Sequence, residues 1–431
     1  MSTHRLLYIV VGALVIALVG GSGTAAGGAK GQCVSGTISI IAKWTGDEQA
    51  SFMAVLAPFK KANPGVTIKY QGAGDNVPQI VSTAVQGGNP PDIATLPQPG
   101  LMKQFAQSGK LKPITFARGV IAANYHPVWL TLGSVNKKLY GLYFKGSNKS
   151  TVWYNVKSFK DAGAKLPQTW PQFLASAKTL KASGTPAYSI GGSDGWTLTD
   201  LFENVYLRTA GPAKYDLLTA HKIKWTDPSV KKALGVMGQI FSDTSNLAGG
   251  TDGALQTDFP TSVSNVFATS PKAAMVIEGD FVPGVVATSN PLKAISGFNE
   301  FGFPTIGGAS GVMGGGDVVV MFKTSAASQA LIKYLATPAA ATIWAKRGGF
   351  TSPNKRVKPS AYKDPLNRKT ALAFALAKIF RFDMSDLQPA AFGSTVGQGE
   401  WKIFQDFLQN PKDVNGTAGA LEASAKKAYG G

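Results

Sequence analysis

Apolar positions after about residue 36 alternate between the spacing of strands and the spacing of helices. Residues 37–41 predict a strand, and the next apolar side chains fall on one helical face: Phe52, Val55, Leu56 and Phe59. A second strand is predicted at 66–70, a second helical stripe at 77–84, and a third strand at 92–96. This succession predicts an open, mainly parallel sheet that is covered on both faces.

The same succession starts again after about residue 150. A strand is predicted at 151–154, a helix begins near Thr169, another strand follows at 187–190, and a helical stripe covers 198–205. Two similar α/β lobes therefore follow one another along the chain. Later strands at 273–277 and 317–322, and a helix over 325–336, could join either lobe.

The beginning of the chain has the order of a secretory signal. Arg5 precedes an apolar run over 6–20, and small residues follow over 21–26. We expect export with cleavage after Ala26, and an uncleaved anchor is the alternative. Residues 27–35 then form a flexible, Gly-rich tether.

The single cysteine excludes an intrachain disulfide in this 431-residue chain, whose 44% hydrophobic residues suffice for two domains. Cys33 lies soon after the apolar run, where exported lipoproteins carry their anchor, but Gln32 departs from the usual pattern before such a cysteine. Lipid anchoring at Cys33 and an idle thiol both remain open.

The formal charge of +19 is distributed over scattered lysine doublets, and arginines are few. Lysine is a point charge that reads bases poorly. The charge therefore favours a solvated basic surface over nucleic-acid recognition, and a binder of anionic polymers is kept as an alternative.

The ends of the predicted strands carry the candidate chemistry, because ligands of open α/β sheets bind beyond those ends. Aromatic rings, carboxylates and an amide occur there: Trp44, Glu48, Asp75, Gln98, Trp196, Asp280 and Phe281. A ring can stack on the apolar face of a pyranose while planar polar groups bond its hydroxyls. The pattern predicts a sugar-binding site.

Each of these side chains also has an ordinary structural interpretation. Trp44, Trp196 and Phe281 could be core residues. Thr45 and Glu48 have the spacing of a capping box, and Asp75 could belong to a turn.

An enzymatic hypothesis comes from residues 191–195, which match Gly-x-Ser-x-Gly between a predicted strand and helix. Ser193 would be the nucleophile of a secreted hydrolase. The only later histidine, His221, lies too close in sequence for that fold, so a Gly-rich turn is the alternative. Paired carboxylates for glycoside hydrolysis stay open, since their separation is a property of the folded chain.

Metal and phosphate chemistry have no support in the sequence. His126 and His221 are far apart and form no zinc-binding spacing. Residues 311–316 have the spacing of a P-loop but lead into a predicted strand, so their glycines let the backbone approach a ligand or bend between lobes. We expect no cofactor, metal or catalytic residue.

Several short stretches are informative in their order and spacing: Trp44-Thr45-Gly46-Asp47-Glu48, Asn63-Pro64-Gly65-Val66, Gly87-Gly88-Asn89-Pro90-Pro91-Asp92-Ile93-Ala94, Leu96-Pro97-Gln98-Pro99-Gly100, Asp194-Gly195-Trp196, Met275-Val276-Ile277-Glu278-Gly279-Asp280-Phe281, Gly314-Gly315-Gly316-Asp317 and Gly348-Gly349-Phe350. Together they resemble the extracellular solute-binding proteins of ABC sugar importers, which include maltose-binding protein, and especially the α-glucoside-type members.

The resemblance implies a type II periplasmic-binding-protein fold, with two α/β lobes that close as hinged bodies around a ligand. It places lobe 1 at 36–146 and 314–345, and lobe 2 at 147–313 and 346–431, with the first crossing at 145–149. It implies a protein that delivers an oligosaccharide or α-glucoside-like sugar to permease subunits outside the cytoplasm. The sequence does not reveal the oligomeric state, and we take a monomer as the default. Gly316 and Asp317 join the expected ligand-binding residues, and Phe281 stands where the family usually has tryptophan.

Overall fold

The computed structural model describes residues 33–289 and 296–430. The expected signal at 1–26 and most of the tether lie outside the described residues. Cys33 is an exposed free thiol. None of the described helices combines the length and the hydropathy that a membrane span requires.

The first sheet contains the strands β1 (Gly36–Ala42), β2 (Val66–Gly72), β3 (Ile93–Leu96), β6 (Gly141–Asn148), β11 (Val312–Met321) and β12 (Phe380–Phe382). Their order is β12-β11-β3-β1-β2, and β6 also pairs with β11. The three N-terminal strands are parallel, as the sequence predicts, with Ile40 opposite Tyr70 and Ile93. β11 runs antiparallel to β3 and β6, so the late strand at 317–322 belongs to this sheet and begins earlier than expected.

The second sheet has the order β10-β7-β9-β8. Its strands are β7 (Thr151–Asn155), β8 (Tyr188–Ser189), β9 (Met275–Ile277) and β10 (Phe298–Gly302), and a separate hairpin is formed by β4 (Ser134–Val135) and β5 (Lys138–Leu139). Only β8 and β9 pair in parallel, while β7 is antiparallel to both of its neighbours. The two sheets therefore differ in topology, although their sequence patterns are similar.

Helices cover both sheets and make up most of the chain after β11. Those of the first half are α1 (Gly46–Ala62), α2 (Val77–Gln86), α3 (Pro99–Gln107), α4 (Arg118–Asn124), α5 (Pro127–Leu132), α6 (Val156–Ala162), α7 (Trp170–Ala182) and α8 (Trp196–Thr219). Those of the second half are α9 (Pro228–Phe241), α10 (Gly250–Gln256), α11 (Phe259–Phe267), α12 (Val282–Ser289), α13 (Ala326–Leu335), α14 (Pro338–Arg347), α15 (Pro365–Ala375), α16 (Met384–Leu387), α17 (Ala390–Gly393), α18 (Gly399–Gln409) and α19 (Val414–Tyr429).

Helix boundaries follow local chemistry. α1 buries the four side chains of its predicted stripe and ends before Asn63-Pro64-Gly65. α7 begins at Thr169 with a capping box that Gln172 completes, and Pro171 occupies its first turn. Inside α8, Gly211 adopts a positive φ beside Pro212, which kinks the helix.

Two large hydrophobic clusters correspond to the two sheets. The first packs α1, α2, α13 and α14 on the first sheet, around aromatic side chains such as Phe52 and Phe144. The second gathers α7, α8, α9, α18 and α19 beside the second sheet, around Phe202 and Phe404. A smaller cluster surrounds Trp153 and Phe267.

The glycine run at 314–316 lies within β11 and forms no phosphate loop. A Cβ at Gly316 would stand 2.8 Å from the Lys145 carbonyl oxygen, and one at Gly314 would stand 2.6 Å from the Ser147 carbonyl oxygen. The glycines therefore allow β11 to approach β6, the strand that leads from the first sheet toward the second.

Candidate functional site

One large cleft, with a volume of about 1350 Å³, is lined by residues that follow strands of both sheets. It brings together all but one of the residues that the sequence predicts for the site: Glu48, Asp75, Gln98, Trp196, Asp280, Phe281, Gly316 and Asp317. The lining from 43–101, 145–147, 316–317 and 344–349 is called the first wall. The lining from 193–196, 259 and 280–286 is called the second wall.

Trp44 is the exception, because its side chain is fully buried and does not line the cleft. Its ring packs against Phe52 and Trp344 at centroid distances of 4.6 and 5.0 Å. Its Nε1 donates a hydrogen bond of 2.6 Å to Oδ2 of Asp317. The expectation that Trp44 stacks on a ligand is therefore corrected, and its packing interpretation holds: Trp44 supports the first wall from behind.

Charged side chains of the first wall are paired with each other. Lys43 Nζ lies 2.8 Å from Asp75 Oδ1, and Lys145 Nζ is bonded to Glu48 Oε1. Burial by itself would lower the pKa of Lys145, but the carboxylates of Glu48 and Asp317 outweigh it and raise the pKa. These two ion pairs involve four of the charged side chains of the first wall.

These pairs also decide two alternative interpretations. Thr45 makes no side-chain cap on α1, so Glu48 faces Lys145 and the predicted capping box does not form. Asp75 does occupy a short 3₁₀ turn over Gly74–Asn76, and it is bonded to Lys43 there.

The remaining predicted residues of the first wall are Gln98, Gly316 and Asp317. Gln98 immediately precedes α3 and is 7% exposed. Burial raises the pKa of Asp317, while Lys145 and Lys43 act in the opposite direction.

Aromatic rings form the second wall. Trp196, the first residue of α8, lies 5.3 Å from Phe259 and 6.0 Å from Phe281 between ring centroids. Phe259 and Phe281 meet edge to face at 5.2 Å. Asp194 fixes the start of α11, since its Oδ2 accepts a hydrogen bond of 2.7 Å from Phe259 N. Trp196 is half-buried and lines the cleft, so part of it is open to a ligand.

Two buried carboxyl groups follow β9, and both have pKa values above those of surface acids. Asp280 accepts a hydrogen bond from the Thr351 hydroxyl at 2.5 Å, and burial raises its pKa to about 6. Burial also raises the pKa of Glu278 to about 8, although this side chain does not line the cleft.

Lys149 lies between β6 and β7, where the chain passes from the first sheet to the second. Its Nζ contacts Asp200 Oδ1 at 3.0 Å and Asp383 Oδ2. Burial would raise the pKa of Asp383, but Lys149 holds it at about 2. Asp386 follows one turn later, lines the cleft and has a pKa well above its ordinary value because of burial and the nearby Asp383.

Polar atoms without a hydrogen-bond partner in the described protein occur on several sides of the cleft. They are Gln98 Oε1, Trp196 Nε1, Trp401 Nε1, and both amide atoms of Asn367. Buried polar groups normally have partners, and leaving one unpaired costs about 1–3 kcal/mol. A ligand that carries several hydroxyl groups would supply these partners.

Sequence reasoning missed several of these residues. Lys145 and Lys149 are the first and last residues of the segment that the resemblance identifies as the first crossing between lobes. That position is a signal that could have predicted their place in the cleft. Phe259 follows Asp258, the cap of α11. Asp386, Asn367 and Trp401 come from the last third of the chain, where short helices give no strand-end pattern.

The geometry does not support a serine hydrolase. Ser193 lines the cleft in a short 3₁₀ turn, Gly192–Asp194. Its proposed partner, His221, contacts Glu422 at 3.3 Å, and its ring centroid lies 5.0 Å from that of Tyr429. Neither His126 nor His221 lines the cleft. Residues 191–195 are therefore a glycine-rich turn before α8.

The chain passes between the two sheets after β6 and before β11, and a large polar and aromatic cleft is lined by residues that follow strands of both sheets. This arrangement defines a solute receptor of the type II class. The sequence profile of the bacterial extracellular solute-binding proteins matches residues 43–342. The chain belongs to this family, and the class that the sequence predicts is confirmed.

Curated relatives extend over most of the chain. It is 32% identical over 371 residues to the osmoprotective compounds-binding protein of Synechocystis sp., covering 83% of this chain and 86% of the relative. It is 30% identical over 416 residues to the alpha-glucosides-binding periplasmic protein of Rhizobium meliloti, covering 91% and 88%.

Solved structures confirm the predicted fold. A chitin oligosaccharide binding protein superposes with a TM-score of 0.78 at 21% identity, covering 92% of this chain and all of the other. A bacterial solute receptor described as preferring β-D-galactopyranose superposes with a TM-score of 0.80 at 20% identity and the same coverage.

Proposed function

We propose that this protein captures a saccharide of the oligosaccharide or α-glucoside type in its cleft. It delivers that saccharide, chemically intact, to the permease of an ABC transporter. The family supports solute capture outside the cytoplasm, and the names of the two curated relatives support osmolytes and α-glucosides as ligand classes.

The observation that carries the proposal is that the same cleft contains the ring of Trp196 and several polar atoms without hydrogen-bond partners. The half-buried ring of Trp196 offers a face for the C–H side of a pyranose, and Phe259 and Phe281 support that ring. Gln98 Oε1 and the Asn367 amide, without protein partners, can bond the hydroxyl groups at the ring edge. A flat apolar face with a polar rim is the shape of a pyranose.

The proposed mechanism is closure of two lobes about their connections. We assign lobe 1 to 36–146 and 314–345, and lobe 2 to 147–313 and 346–431. β6 with its continuation through Lys149 supports the first connection, and β11 supports the second. The pairing of β12 with β11 adds Phe380–Phe382 to the first sheet, so these three residues move with lobe 1 in our proposal.

The proposal includes export through the N-terminal signal, either release or lipid anchoring at Cys33, and a monomeric receptor. The exposed position of Cys33 supports access to that thiol. Labelling the membrane fraction with a palmitate analogue, in wild type and in Cys33→Ser, distinguishes anchoring from release.

A screen of mono-, di- and trisaccharides by thermal shift, followed by isothermal titration calorimetry, tests the function. A ligand that binds only the folded chain raises the Tm by mass action. We expect at least one neutral saccharide to bind, to be recovered unchanged by chromatography, and to lose affinity in Trp196→Ala. Hydrolysis that Ser193→Ala abolishes, or binding restricted to anionic polymers and lost in salt, would overturn the proposal.

A further inference from the structure

The charge of the cleft is opposite to the charge of the whole protein. The chain carries a formal charge of +19, but the cleft lining contains nine carboxylate side chains and four cationic ones. Three of the cations are paired with carboxylates: Lys43, Lys145 and Lys149. The fourth, Arg347, donates its Nε to the hydroxyl of Ser51 at 3.0 Å.

Asp386 differs from the other buried carboxylates of the lining, such as Asp280 and Asp317, because its side chain accepts no hydrogen bond from the described residues. It is 9% exposed and lines the cleft, yet no lysine or arginine of the described residues forms an ion pair with it. Asp383, which accepts the backbone N–H of Asp386 at 3.0 Å, is already occupied by Lys149. Burying a carboxylate without a counter-ion is costly, and the raised pKa of Asp386 reflects that cost.

A second observation, an amide side chain without hydrogen-bond partners, also points to a ligand at this lining. Asn367 is 3% exposed, lines the cleft, and has no protein partner for either amide atom. The amide oxygen of Asn367 and the carboxylate of Asp386 are both hydrogen-bond acceptors, so the lining favours a ligand that carries donors. An alkylammonium group offers three donors and a positive charge, and its bonds to a carboxylate are about twice as strong as neutral ones.

We propose that the cleft selects saccharides that carry an ammonium group over saccharides that carry a carboxylate or phosphate, and that Asp386 sets this selectivity. The inference rests on the proposed function and narrows its ligand class to neutral and amine-bearing sugars. An anionic sugar would add negative charge to a cleft whose lining already has more carboxylates than cations, whereas an ammonium group would stabilise the ionised form of Asp386 and pair with it.

The test uses three glycosides that differ at one carbon. These are methyl α-D-glucopyranoside, its 6-amino-6-deoxy derivative, and methyl α-D-glucopyranosiduronate, each titrated calorimetrically at pH 7.5. We expect the amine to bind at least about tenfold more tightly than the uronate, in line with one charge-assisted hydrogen bond. Asp386→Asn should reduce this ratio to within about threefold, whereas Asp386→Glu, which keeps the charge, should retain most of it.

The control is Asp252→Asn, which removes one carboxylate from an exposed site on α10 outside the cleft lining. It should leave the ratio unchanged. A uronate that binds as tightly as the amine, or a ratio that survives in Asp386→Asn, overturns the inference while leaving sugar binding intact.

Ion quenching tests the charge of the cleft even if none of the three glycosides binds. The fluorescence of Trp196, taken as the difference from Trp196→Phe, should be quenched more by caesium than by iodide, relative to free N-acetyltryptophanamide. Asp386→Asn should weaken that preference. Equal or stronger quenching by iodide would overturn the inference, whereas absent glycoside binding would count against the proposed function alone.

Discussion

The two walls of the cleft differ in the side chains that line them: the first contains ion pairs, and the second contains aromatic rings. In the first wall, Lys43 and Lys145 are each bonded to a carboxylate of the same wall, and Trp44 lies behind them. In the second wall, Trp196, Phe259 and Phe281 form an aromatic surface. The first wall therefore pairs its lysines internally and leaves Gln98 Oε1 without a protein partner, while the second wall gains most when an apolar face covers it.

This difference separates support from recognition. A buried tryptophan that bonds a carboxylate holds a wall in place, and a half-buried tryptophan at a helix start can exchange solvent for ligand. Substitutions at Trp44, Trp196 and Glu48 test this division of roles.

Trp44→Ala should destabilise the protein by about 3–5 kcal/mol, because it leaves a large cavity in the first cluster and removes the donor to Asp317. Chemical denaturation followed by circular dichroism measures the loss. The affinity of the folded fraction for a saccharide should fall less than in Trp196→Ala. A loss of affinity with unchanged stability would show that Trp44 takes part in ligand recognition and does not only support the first wall.

Trp196→Ala should weaken saccharide binding by about a hundredfold, since it removes a stacking face worth about 2–3 kcal/mol. Titration calorimetry with the sugar found in the screen measures this change. Trp196→Phe keeps an aromatic face but loses Nε1, so its affinity should fall between wild type and Trp196→Ala. Equal affinity in all three proteins would contradict the assignment of the second wall.

Glu48→Gln should weaken binding by about tenfold, because Lys145 then loses its partner and the paired first wall is disturbed. The matched control is Asp161→Asn, which removes the partner of Lys157 in an exposed pair on α6. That control should bind the sugar as wild type does. An unchanged affinity in Glu48→Gln would show that pairing in the first wall is irrelevant to recognition.

The ligand-free protein should have a lower Tm at pH 8 than at pH 5. Burial raises the pKa of Asp280 to about 6 and that of Glu278 to about 8, so the folded state binds more protons than the unfolded state between about pH 4 and 8. The free energy of unfolding then falls as the pH rises through this window, by on the order of 1 kcal/mol per pKa unit.

Glu278→Gln should reduce the difference in Tm between these two pH values. Asp383 does not counteract the fall in stability from pH 5 to pH 8, because a pKa of about 2 keeps its carboxylate ionised throughout this range. Scanning calorimetry checks the sign, and a Tm that rises from pH 5 to pH 8 would refute the assignment.

Local patterns predicted much of the fold. The stripe of α1, the parallel start of the first sheet and the capped start of α7 all follow from short-range spacing, and the structure confirms them. The antiparallel pairing of β11 with β3 and β6 depends on residues far apart in sequence, which periodicity cannot read. The mixed parallel and antiparallel pairing of the second sheet was not predicted for the same reason, since its strands are also far apart in sequence.

The site was predictable only where it follows a strand. Gln98 and Trp196 were found because a strand or turn places each of them at a predictable edge. Trp44 shows the opposite case, because its ring turns into the core and only three-dimensional packing reveals this. Asp386 and Asn367 come from irregular segments, and only the folded chain brings them to the cleft.

The most direct test is a crystal structure of the protein with the tightest-binding neutral saccharide from the screen. We expect one pyranose ring stacked on Trp196, with its hydroxyl groups bonded to Gln98 and Asn367 and its glycosidic bonds intact. A saccharide bound outside this cleft, or held in it without contact to Trp196, would show that Trp196 is not the recognition surface.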